Sequence, residues 1–197
     1  SQIMSKLKLN AASGGGSVSF EGPASSGSDK VIKFPAAPGV IVQTITTVKT
    51  DTSSWAFDTS SNSWKETGLQ AVITPTVASN KILIWVSGMY GGSVNGENIY
   101  WAFSRSSDSS NFQIGDTSGS RTRVTTGSFL DSTSRPAQFS VFAVDSNHNT
   151  TSANTYKLLA TGNNQAGTMY LNRTSSDDDG WYRPRGTTTM ILQEVAT

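Results

Sequence analysis

Cysteine is absent from the 197 residues. Disulfide staples and zinc–thiolate centres are thereby excluded, and stability rests on burial or on assembly. Histidine occurs once, as His148, within the turn-like stretch Asp145-Ser-Asn-His-Asn149. A Ser-His-Asp triad needs that histidine beside a nucleophilic serine and an oxyanion hole, and no G-x-S-x-G elbow is present. His148 therefore reads as a solvated loop residue. Charge is also scarce: 15% of residues carry it, and the net is +1. Neutralising nucleic-acid phosphates or binding an anionic membrane needs far more positive charge. Neither nucleic acid nor membrane insertion is expected. The longest apolar run is Ile82–Val86, far short of the roughly 20 residues of a membrane span. Residues 1–9, SQIMSKLKL, lack the apolar core of a signal peptide. Assembly inside a producing cell is the expectation.

What fills the deficit is hydroxyl. The chain has 31 serines and 24 threonines, so its surface is polar through hydroxyls and amides more than through charge. Helical patterning is nearly absent. Apolar residues recur at period two, and turn residues interrupt them every eight to twelve positions, the pattern of an all-β sandwich or barrel. Leu69, Ala71 and Ile73 share one face of a strand that Thr74-Pro75 ends. Ile82–Val86 is apolar on both faces and predicts a central strand covered on both sides, with Trp85 in the core. Ile99, Trp101 and Phe103 share a face. Phe139, Val141 and Ala143 alternate with a second set, Phe142 and Val144, that is also largely apolar. Tyr156, Leu158 and Ala160 follow, then Met169 and Leu171, then a last strand over Thr187–Val195. Two packed antiparallel sheets, jelly-roll-like, are the economical arrangement.

The first forty residues differ. In residues 13–39, SGGGSVSFEGPASSGSDKVIKFPAAPG, two β-prone runs, Ser17–Phe20 and Lys30–Phe34, sit among Gly, Ser and Pro. Two isolated strands are marginal in water, and about forty residues are too few for a core of their own. Sister chains or a host assembly must order this segment. We divide the chain into an extended N-terminal anchoring segment, residues 1–40, and a β-sandwich head, residues 41–197. Residues 51–66 read as a connection or an irregular first strand.

Two stretches resemble known proteins. The spacing GGSV, a Pro, a β run ending in Phe-Pro, then Pro-Gly resembles the short collar or shaft repeats of bacteriophage tail-fibre and virion structural proteins. Thr67-Gly-Leu-Gln-Ala-Val-Ile-Thr-Pro75, followed by Ala78-Ser-Asn-Lys-Ile-Leu-Ile84, is similar to a segment of the C-terminal β domains of phage virion proteins. Gly119–Arg123 and Thr168–Arg173 share that likeness. The resemblance implies a homotrimeric, β-rich virion appendage, assembled in the host cytoplasm and exposed on the particle. Its partners would be its own copies, other virion proteins through the N-terminal segment, and a host-surface glycan or protein. The leading function is a trimeric tail fibre that binds a host receptor. The alternative is a capsid decoration or head-fibre protein.

No catalytic residues, cofactor or metal are assigned, and an enzyme is not expected. A glycosidase needs two carboxylates about 5–10 Å apart, one with a raised pKa, and no pair among the 14 acidic residues stands out. Asp177-Asp-Asp179-Gly180 supplies carboxylates but not the alternating spacing of a calcium loop, and it reads as a solvated turn. The sequons at Asn149 and Asn172 read as chance in an Asn- and Thr-rich chain. The aromatics are more informative. Trp101 belongs with the core strands. Trp181, Tyr182 and Arg183, following Asp177 and Asp179, form the candidate receptor-binding cluster: a ring stacks on a sugar face while polar neighbours bind its hydroxyls. Phe20, Phe34, Trp55 and Trp64 are the candidate subunit-interface residues, since Trp, Tyr and Arg are enriched at interfaces.

Overall fold

The computed structural model describes residues 6–10, 17–21, 38–57, 63–162 and 165–197. The Lys30–Phe34 run, and with it the candidate interface residue Phe34, lies outside them. The chain divides into two compact units, Ser1–Pro35 and Ala36–Thr197. In the first unit, β1 (Lys6–Asn10) pairs antiparallel with β2 (Ser17–Glu21), which places Phe20 opposite Leu7. The Ser17–Phe20 run is thus a strand, and its partner is Lys6–Asn10.

The second unit is all-β, with no helix among the described residues. Its strands are β3 (Ile41–Lys49), β4 (Ser53–Phe57), β5 (Lys65–Ile73), β6 (Lys81–Gly92), β7 (Glu97–Arg105), β8 (Asn111–Phe112), β9 (Thr126–Leu130), β10 (Ala137–Asp145), β11 (Asn154–Gly162), β12 (Gly167–Leu171) and β13 (Thr188–Val195). Every pairing is antiparallel, and two sheets result. The first sheet is built on β6, the longest strand. β10 lies along one side of it. The other side is shared: β13 pairs with residues 81–87 and β12 with residues 90–92. β3 and β4 then complete the sheet against β13 and β12. The second sheet runs β5, β11, β7, with β8 and β9 both on the far edge of β7.

Period-two alternation fixes which side chains face inward. Ile82, Ile84 and Val86 point from the first sheet to Leu69, Ala71, Ile73, Ile99 and Phe103 of the second, and all are buried. Four aromatic rings span the gap. Trp101 stacks on Phe139 at 4.2 Å and 9°, and Tyr90 meets both edge-on at 5.4 and 5.9 Å. Trp55 packs edge-on against Trp101 at 6.4 Å and is only 6% exposed. Its expected place at a subunit interface is therefore corrected. Residues 53–57 form a regular strand paired with β12, and the pleat turns Trp55 inward with Phe57.

Three buried polar groups pin the connections. Glu194 on β13 accepts from the Gln43 amide at 2.6 Å, the Thr76 backbone N–H and hydroxyl at 2.8 Å each, and the Asn80 amide at 2.7 Å, so one carboxylate holds β3 and the β5–β6 turn. Arg105, Asp145 and Tyr156 tie β7, β10 and β11 together: Arg105 pairs with Asp145, and the Tyr156 hydroxyl donates to Asp145 at 2.9 Å. His148 is buried rather than solvated, a second correction. Its loop folds back over the β5–β6 turn, where Nε2 lies 2.8 Å from the Asn80 carbonyl.

Candidate functional site

The connection between β12 and β13 carries the aromatic cluster. It starts where β12 ends, because the ladder along β6 changes partner there. Asn172 fills that gap. It is fully buried at φ 64°, a left-handed conformation that asparagine tolerates better than most residues. Its side-chain amide donates to the carbonyls of Lys49 and Asp51, both at 2.9 Å, across the break between β3 and β4. Its side-chain Oδ1 accepts from the Thr188 hydroxyl at 2.6 Å. Burial also removes Asn172 from reach as a glycosylation site in the folded protein. Gly91 is the second local requirement. A Cβ there would lie 2.6 Å from the Arg173 carbonyl oxygen and 2.8 Å from the Thr174 Cα, so the root of the loop sits directly on the β6 backbone.

From this root the loop rises as a braced excursion. The guanidinium of Arg173 covers the Tyr170 ring at 3.7 Å and donates to the Thr174 and Ser175 carbonyls at 3.1 and 2.8 Å. The Ser175 N–H reaches Thr133 on the neighbouring loop at 3.3 Å. Two ion pairs cross the loop: Arg185 Nε to Asp177 at 3.0 Å, and Arg183 Nε to Asp178 at 2.9 Å. At the apex the Arg183 N–H donates to the Gly180 carbonyl at 2.8 Å. That bond closes a four-residue turn with Trp181 and Tyr182 at its two central positions, where side chains point away from the chain reversal. The loop then returns to its root, where the Gly186 N–H donates to the Asn172 carbonyl at 2.9 Å.

The result is an aromatic tip on a tied base. Trp181 is 95% exposed. Tyr182 is also exposed and packs edge-on to Trp181 at 5.8 Å, and Arg183 lies 5.2 Å from the Tyr182 ring centre. Asp179 is exposed beside them. The five candidate receptor-binding residues Asp177, Asp179, Trp181, Tyr182 and Arg183 thus share one loop, but not one role. Asp177 and Arg183 are engaged in bracing. Trp181, Tyr182 and Asp179 are presented. The loop balances three aspartates against Arg173, Arg183 and Arg185, so its tip has no strong field of one sign.

Trp64 lies elsewhere. It is half-buried on the outer side of the second sheet and lines a groove of about 350 Å³ with Leu159, Asn111 and the Lys157–Glu66 ion pair of 2.7 Å. The sequence reading also misplaced Trp85, and Phe142, read there as part of a second apolar set, lies beside it. Both point out of the first sheet instead of into the core, 48% and 42% exposed, with ring centres 4.3 Å apart across the β6–β10 pairing. The available signal was the doubly apolar patterning of both strands.

No protein-family model and no curated protein matches the chain. Among solved structures, it is similar to the infectious bursal disease virus Gx strain structure, with a TM-score of 0.41 and 16% identity over 92% of this chain and 44% of that one. It is also similar to the infectious bursal disease virus VP2 subviral particle, with a TM-score of 0.42 and 14% identity over 89% of this chain and 42% of that one. The chain spans less than half the length of these proteins.

Proposed function

We propose that this chain is a virion structural protein, a trimeric tail fibre whose sandwich head binds a host-surface receptor through the loop between β12 and β13. The observation that carries this reading is the 95% exposure of Trp181 at the tip of a braced loop. A free indole in water is unfavourable by the scale of apolar transfer, about 25 cal/mol per Å². The bracing holds it in place, so little ordering cost remains for a ligand to meet. A flat ring beside Tyr182 and Asp179 suits a sugar: the indole covers the C–H face while hydroxyl and carboxylate oxygens meet the sugar hydroxyls. The balanced charge of the loop favours a neutral glycan over a polyanion. The role is one of binding, without catalysis or cofactor.

The test is binding of the purified protein to bacterial envelope fractions and to a glycan array, beside its Trp181→Ala variant. The expected result is glycan binding that the variant loses while its melting temperature holds. Equal binding by both proteins refutes the site. Capsid decoration parts from this reading by location, because imaging of the intact particle would then show copies over the capsid and not at the tail.

A further inference from the structure

The outer faces of the two sheets both expose apolar side chains, Val72 and Phe129 on the second and Trp85 and Phe142 on the first, but they differ in charge. The second sheet carries an ion pair, Lys157–Glu66, and an exposed Gln70. The first sheet carries almost no charge. Of the side chains that β3, β13, β6 and β10 direct outward along their shared register, Lys81, at one end, is the single charged residue. In the middle, Trp85 stands opposite the half-buried Ile191 of β13 on one side and the exposed Phe142 of β10 on the other, with the half-buried pair Leu83 and Val144 in the next outward row. Thr46 of β3 ends the Trp85 row, and the exposed Ile41 and Val48 lie toward the two ends of β3. Trp85 belongs to the central strand of the sheet, where antiparallel sheets facing water normally present polar side chains.

We infer that this face is where a second copy of the chain docks. This rests on the reading of the protein as a self-assembling appendage, and it names the surface. Two features select the occupant. The face is nearly charge-free, so meeting its own copy brings no like-charge repulsion and strands no buried ion. It also has the necessary size. Four strands at about 4.8 Å spacing and eight residues at about 3.3 Å rise span roughly 500 Å² in projection. Side chains standing off the sheet enlarge the accessible area toward the about 800 Å² per partner of a stable interface.

The cysteine-free chain allows a direct test on the whole protein. Ser140→Cys places one thiol on this face, beside Phe142. Gln70→Cys places one on the outer face of the second sheet. Maleimide labelling rates are compared, and mass is measured by sedimentation equilibrium. The expected result is labelling at Ser140→Cys severalfold slower than at Gln70→Cys, in a particle heavier than the 20.9 kDa chain. Adding Trp85→Asp should restore the Gln70 rate. Thr46→Arg, a charge placed on the face without removing a ring, should do the same, which separates docking from misfolding. Equal rates at the two sites in the unaltered background overturn the proposal. Protection at Ser140→Cys in a 20.9 kDa particle also overturns it, because the chain then covers its own face. The glycan-array result with Trp181→Ala bears on the loop alone, so either claim can fail without the other.

Discussion

Glu194 links the pH of the medium to the stability of the head. Its carboxylate is buried, and among the described residues its partners are neutral amides, a hydroxyl and a backbone N–H. Burial pushes its pKa up. The hydrogen bonds from Gln43, Asn80 and Thr76 favour the ionised form and together outweigh burial, lowering the pKa from 4.5 to about 2. A group whose pKa is depressed by folding stabilises the folded state fully above its unfolded pKa. That stabilisation is lost as pH falls from 4.5 toward 2. The difference of about 2.5 pKa units corresponds to about 3 kcal/mol, a large part of a typical domain's stability. Glu194→Gln keeps one carbonyl acceptor but turns an amide donor against the Gln43 amide. It should cost about 1–3 kcal/mol at neutral pH. Urea unfolding of both proteins, followed by tryptophan fluorescence from neutral pH down to pH near 2, measures the gap between them. The gap should be constant above pH about 5 and should shrink toward zero at the acid end. A gap that stays constant throughout would refute the reasoning, because the carboxylate would then not be the titrating group.

Two further outcomes follow from other buried groups. Asp145→Ala removes one of the two carboxylate partners of the Arg105 guanidinium and the acceptor of the Tyr156 hydroxyl and should destabilise by about 2–3 kcal/mol, read from the urea midpoint; Asp108→Asn, which breaks the more exposed half of the same network, should cost less than about 1 kcal/mol. Asn172→Gly keeps the left-handed backbone but removes three side-chain hydrogen bonds, so it should cost about 2–3 kcal/mol and expose the loop between β12 and β13 to limited proteolysis.

The sandwich was legible because period-two alternation is a physical consequence of the pleat. Leu69, Ala71 and Ile73, and Phe139, Val141 and Ala143, all face the core as their spacing required. Polarity marked the Trp181 loop correctly as exposed, since a ring among Asp, Gly, Arg and Pro has no apolar neighbours to bury it. Trp55 was misread for the same reason: its polar neighbours in sequence hide a strand whose contacts come from β12 and β7. His148 was misread because a buried imidazole is paired by carbonyls that no side-chain pattern announces. For Trp85 the patterning did predict a strand covered on both sides, and within one chain the outer side is bare. Sequence reports apolar faces, and it does not say whether the chain packs against them itself.

The hydrogen bond between Gly186 and Asn172 has one more consequence. It closes the base of the loop with backbone atoms alone, and the side chains that pin the base, those of Asn172 and Thr188, belong to the frame and not to the tip. Residues 173–175 also touch the frame, through Tyr170, Gly91 and Thr133, so it is the part of the loop beyond them that the frame does not engage. A doubling of loop length would add only about 0.6 kcal/mol of closure entropy. The segment from Ser176 to Arg185 should therefore accept replacement of its sequence while the sandwich beneath folds as before.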